Sequence, residues 1–160
     1  MLAFFTDFAE YEFYKTLLTS DYVDADSLGM GNAEYVGAKF VFALNGQNLA
    51  YVTMTLANGT PGMEISFFEN GAMQVYKTYN NGVLSNVQEY DENGVLLVRT
   101  SYYENGQPQS AEEYDENGQT RNVTQYYENG IQSYHAEYTD DTCSLAVYYT
   151  PDGEETGESL

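Results

Sequence analysis

Positive charge is what this chain has least of. Lys and Arg together number 5 against 25 Asp and Glu in 160 residues, a formal net charge of -20. A field of that sign repels phosphate backbones and anionic bilayers, so direct nucleic-acid or membrane binding is not expected and a basic protein is the natural complement. Histidine and cysteine are nearly absent too, at 1 each. Cys143 has no internal partner, which excludes a disulfide framework. His135 and Cys143 supply neither a Ser-His-Asp constellation nor a metal-ligand spacing, so only carboxylates remain for acid-base work. The expectation is a non-enzyme without cofactor or metal, in which His135 and Cys143 are structural. Long apolar runs are also missing: none reaches the roughly 18 residues of a spanning helix. The opening MLAFF has no basic n-region and lacks the length of an h-region. The chain reads as soluble, untargeted and cytoplasmic.

Aromatic rings are what it has in abundance, with 17 Tyr and 8 Phe. Disordered acidic chains lack such buryable surface, so the chain is expected to fold. The length and an apolar content of 42% fit a single domain over residues 1–160. Two regions differ in character, residues 1–38 and residues 39–160. In the first, Phe4, Phe8, Tyr11, Tyr14 and Leu18 recur at helical spacing, with Asp7 placed to cap and Glu10 three residues on, which predicts a short N-terminal α-helix packed on the first strands. An acidic, Gly-rich loop follows. Asp24, Asp26 and Gly29 have the start of a calcium loop, but Leu28 and Tyr35 stand where oxygen ligands are required, so no calcium site is expected.

From Lys39 the chain is punctuated by Asn-Gly pairs ending at Gly46, Gly59, Gly71, Gly82, Gly94, Gly106, Gly118 and Gly130, with Asp140-Asp141 and Asp152-Gly153 completing the series. Asn-Gly between runs rich in Val, Thr and Tyr predicts hairpins whose two turn residues both take positive φ. The fold class expected is mainly β: a repetitive antiparallel meander of about ten strands in a curled sheet. An aromatic residue precedes the turn glycine by four positions in seven units, at Phe42, Phe67, Tyr90, Tyr102, Tyr114, Tyr126 and Tyr149, with Tyr138 fitting the Asp-Asp turn. These rings are expected to share one face as a packed ladder. Replacing Tyr114 by Ala should then cost about 3 to 5 kcal/mol. Tyr103 and Tyr127, expected on the opposite face, should cost little.

Successive turns fall on opposite edges of a meander, and here the two edges differ chemically. On one, Glu89, Glu113 and Glu137 recur every 24 residues, Asp91 and Asp115 follow in register, and Glu92, Glu116, Asp140 and Asp141 occupy the tips. On the other, Tyr103 and Tyr127 replace the aspartates. Acids at turns keep a sheet from pairing edge to edge. From Glu64 onward, however, 18 acids face only Lys77, Arg99 and Arg121. Such an excess also suits electrostatic steering of a partner. Glu112 and Glu113, adjacent on one strand, point to opposite faces and cannot form a catalytic pair.

The segments YYENGQPQSAEEYDENGQ and YYENGIQSYHAEY resemble the bacterial variant of MORN (membrane occupation and recognition nexus) repeats found in YwqK-type antitoxin proteins. The likeness runs from about Lys39 to Gly153 and rests on the YYENG turns and the 24-residue double unit. Related tyrosine-aspartate repeats of large toxin shells carry similar YDENG turns. The resemblance implies a hairpin array used as a binding surface, in some members as an immunity protein against a cognate toxin. Here Ala72, Val83, Val95, Gln107, Gln119 and Ile131 stand where the family places a basic residue, which argues against phospholipid binding. The function expected is a proteinaceous inhibitor, an immunity, antitoxin or phage-type anti-defence protein. Its acidic edge would engage a basic toxin or defence effector, with Tyr103 and Tyr127 as central contacts. The alternative is a surface or scaffold repeat for protein or carbohydrate binding.

Overall fold

The computed structural model describes residues 2–3, 35–42, 49–56, 58–140 and 142–159. Twelve strands occur among them, in one antiparallel sheet whose spatial order is the chain order. β1 is Leu2–Ala3 and β2 is Tyr35–Phe42; β3 (Leu49–Leu56), β4 (Pro61–Phe67) and β5 (Met73–Asn80) follow. β6 (Val83–Tyr90), β7 (Leu96–Tyr102), β8 (Pro108–Tyr114) and β9 (Thr120–Tyr126) form the middle, and β10 (Gln132–Thr139), β11 (Thr142–Tyr149) and β12 (Glu155–Ser159) the end. β1 and β12 are the outer strands and do not pair with each other, so the meander is open. The described strands exceed the expected number by two, the short β1 and β12 among them. The expected N-terminal helix, the acidic loop as far as residue 34 and the Gly46 turn lie outside the described residues, while residues 35–38, expected as the end of that loop, are the start of β2.

Most turns are not of the expected kind. In seven hairpins the loop spans five residues, as in Phe68 to Ala72: the Gly71 N–H donates to the Phe68 carbonyl and the Phe68 N–H to the Ala72 carbonyl. Only the glycine has positive φ, 88° at Gly71, while Asn70 stays in the ordinary region. The pattern repeats at residues 56–60, 91–95, 103–107, 115–119, 127–131 and 150–154. A two-residue turn of the predicted type occurs at Asn81-Gly82, where φ is 50° and 82° and Asn80 pairs with Val83. It accounts for the one 11-residue interval in the series, because a two-residue loop needs fewer residues than a five-residue one. The reversal expected near Asp140 is present, with Thr139 opposite Thr142 and Asp140 at φ 50°.

Each hairpin from β3–β4 to β11–β12 also carries a bulge near its turn, one pair in from the five-residue loops and two pairs in from the tighter reversals of β5–β6 and β10–β11. Tyr90 pairs with Leu96 but Glu89 with Val98, which leaves Leu97 extra; Tyr102 pairs with Pro108 but Ser101 with Ser110, which leaves Gln109 extra. One added residue inverts the phase of a period-two element, so strand ends that would share a face are put on opposite faces. The expectation of a single aromatic ladder is thereby corrected. Phe67, Tyr90, Tyr114 and Tyr138 lie on one face, called A here, and Tyr102, Tyr126 and Tyr149 on the other, face B.

Complete burial is concentrated near the start of the sheet. Val52, Met63 and Ile65 are at 0% exposure and Tyr76 at 2%, all on face A of β3, β4 and β5. Ala136, also at 0%, and Ala146 continue the buried surface on face A farther along the sheet, whereas Val87 and Val147 are buried on face B. Tyr114 is only half-buried, so the core-sized cost expected for its removal does not apply.

Candidate functional site

The turn geometry decides which edge carboxylates are free. At the tip after β6, Asp91 Oδ1 accepts the N–H groups of Asn93 at 2.9 Å and Val95 at 2.8 Å. At the tip after β8, Asp115 Oδ1 accepts those of Asn117 at 2.8 Å and Gln119 at 2.9 Å. These bonds, with Val95 first for Asp91 and Gln119 first for Asp115, hold both carboxyls below their ordinary pKa. Asp91 and Asp115 are therefore turn caps first, although each keeps its charge. Glu92 and Glu116 are exposed at the same tips, as is Asp140 at the next; Asp141 lies outside the described residues.

The period-24 column has the geometry expected of it. Glu89, Glu113 and Glu137 occupy one transverse row on face B, separated by Val98 and Asn122 and followed by Leu145. All three are exposed, and strands two apart place successive carboxylates about 9.6 Å from one another. Asn122 Nδ2 donates to Glu113 Oε2 at 2.8 Å, and His135 Nε2 stands 3.6 Å from Glu137 Oε1. Glu112 lies on face A, as its separation from Glu113 requires, where it accepts from the Tyr114 hydroxyl and stands 3.9 Å from Arg99. An open depression of about 550 Å³ lies beside this edge, lined by Tyr114, Tyr138, Asp115, Glu116, Arg121 and Asp140 among others.

On the opposite edge the structure corrects the reading of the tyrosines. Tyr103 and Tyr127 are half-buried rather than free, and both are on face A, the face of Tyr114. The Tyr103 hydroxyl donates to the Tyr126 carbonyl at 2.7 Å, and that of Tyr127 to the Tyr149 carbonyl at 2.8 Å. Each ring thus ties one turn to the hairpin two strands on. The turn asparagines act in parallel: Asn105 Nδ2 donates to the Glu128 carbonyl at 2.7 Å and Asn129 Nδ2 to the Pro151 carbonyl at 2.9 Å. Asn70 does the same for Glu92 on the acidic edge, at 2.9 Å. The sequence reading missed these ties. Their signal was the replacement of Asp by Tyr at the first loop position, which removes the capping carboxylate and leaves the Asn side chain to accept the N–H of Gln107 or Ile131.

Among the described residues no group of His, Cys, Asp and Glu could hold a metal ion, and no helix is long and apolar enough to cross a membrane.

No protein-family model matches the chain, and the search of curated proteins gives no match. Solved structures with a similar arrangement include the GtfA/B complex bound to UDP and GlcNAc, at 12% identity over 66% of this chain with a TM-score of 0.38. Accessory secretory protein 1,2 and 3 of Streptococcus pneumoniae matches at 14% identity over 63% with a TM-score of 0.42. TarM of S. aureus matches at 10% identity over 83% with a TM-score of 0.47. The chain spans 21%, 19% and 26% of the length of those three chains.

Proposed function

We propose that the chain is a non-enzymatic protein-binding inhibitor, of the immunity, antitoxin or anti-defence kind, that captures a basic protein through its acidic edge. The observation that carries this reading is the row of exposed carboxylates Glu89, Glu113 and Glu137, extended by Glu92, Glu116 and Asp140 at the tips. Asp91 and Asp115 add charge but are held in their own turns, so they steer a partner rather than bond to it. Cationic relief at this edge comes from Arg121, which stands near Asp115 and Glu116, whereas Arg99 lies on face A beside Glu112. Electrostatic edges of this kind act mainly on association rate and its salt dependence.

The test takes the partner recovered with the whole chain as bait and follows association against ionic strength. Glu89→Gln/Glu113→Gln/Glu137→Gln slows association about tenfold at low salt and flattens its salt dependence, as expected for steering charges. A triple variant with unchanged rate and slope overturns the proposal.

A further inference from the structure

The turns at Tyr103 and Tyr127 enclose a depression of about 410 Å³ on face A, within the range of about 300 to 1,000 Å³ usual for small-ligand sites. In a chain with a net charge of -20, none of the residues lining it is charged. Tyr103 and Tyr127 line it from turns two strands, about 9.6 Å, apart, and the Tyr103 ring reaches across that interval to the Tyr126 carbonyl. Between them lie hydroxyls and amides from Ser101, Ser110, Gln109 and Gln125. Both rings are anchored at the backbone and again through their hydroxyls, so they are fixed before any ligand arrives. The Ser101 and Ser110 hydroxyls face each other at 2.8 Å and retain free lone pairs, while the Gln109 and Gln125 side chains are exposed.

We propose that this depression binds a neutral oligosaccharide. A pyranose has apolar C–H faces that pack on aromatic rings, and hydroxyls that need both donors and acceptors. Rigid tyrosines alternating with serine and glutamine supply both requirements. The uncharged lining offers an ionic ligand no counter-ion, and the surrounding field repels an anionic one. The proposal is independent of the acidic edge, which lies at the other ends of the strands.

The experiment titrates the whole chain with neutral hexasaccharides of the cello, chito, manno and malto series, with a heparin hexasaccharide and with hexalysine. The side-chain amide NMR signals of Gln109 and Gln125 are followed. At least one neutral sugar shifts both signals saturably, and neither charged probe does. Gln109→Ala/Gln125→Ala, at exposed positions, keeps the fold and weakens that sugar at least tenfold. Tyr103→Phe preserves binding while Tyr103→Ala abolishes it. Silence from every neutral sugar, shifts confined to other residues, or full affinity in the double glutamine variant overturns the proposal, as does hexalysine shifting the same two signals.

Discussion

Single side chains in this sheet act mostly on the main chain of a neighbouring turn. Removing the Tyr103 hydroxyl with Tyr103→Phe deletes one bond to the Tyr126 carbonyl, and Tyr127→Phe deletes its equivalent. Each should cost about 1 kcal/mol in urea unfolding, the usual net worth of such a bond. The Asp91 and Asp115 caps add a pH dependence. Their folded pKa values lie below the ordinary carboxylate value, so the stability they contribute is present above that value and is lost as pH falls through the folded one. The gap in urea midpoint between the native chain and Asp91→Ala/Asp115→Ala should therefore narrow from neutral to acid pH. Tyr114 has the opposite sign. Burial, then its bond to Glu112, pushes its pKa up to about 12, so its stabilisation is complete below the ordinary tyrosine value and is lost as pH rises through about 12. In a spectrophotometric titration, Tyr114→Phe should remove one tyrosine from the late-ionising group.

At the level of the hairpin, glycine and bulge do separate jobs. Gly118 has φ 78° and open space around the position a Cβ would take, so Gly118→Ala meets only the left-handed backbone penalty, about 1 to 2 kcal/mol. Gly130→Ala should cost about the same, because the atom its Cβ would meet at 2.9 Å, Gln107 Oε1, is the far end of an exposed, flexible side chain that can turn away. The comparison is made by thermal or urea unfolding of the two variants. Strand positions and reversals were legible in the sequence because Asn-Gly and a period-two pattern are local signals. The bulges were not: Leu97, Gln109 and Arg121 are unremarkable residues, and only the pairing shows that they have no opposite number. From that one omission followed the misplacement of Tyr102, Tyr126 and Tyr149 beside Tyr114, and of Tyr103 and Tyr127 opposite it. The acidic column, by contrast, was readable, since Glu89, Glu113 and Glu137 recur every second strand and two bulges restore the phase that one inverts.

Across the whole sheet each strand packs on its sequence neighbours, so stability is a sum of local terms rather than the property of one central core. The terms are unequal, because Val52, Met63 and Ile65 are fully buried whereas residues 151–158 are all exposed. Amide hydrogen exchange should consequently be slowest in β3 and β4 and fastest in β12, in a gradient rather than one cooperative block. Uniform protection from β3 to β12 would contradict this.

The open meander also has a mechanical consequence. Its first and last strands are opposite margins of the sheet, so a tension applied between them acts across the strands and loads the hydrogen bonds of one ladder in turn, as a zip is opened, instead of shearing a whole ladder at once. Each released unit of twelve residues, the spacing between most turn glycines, adds about 40 Å of contour at roughly 3.3 to 3.6 Å per residue. Held between two anchors, the molecule would yield at low force in near-equal steps and behave as an extensible tether rather than a rigid strut.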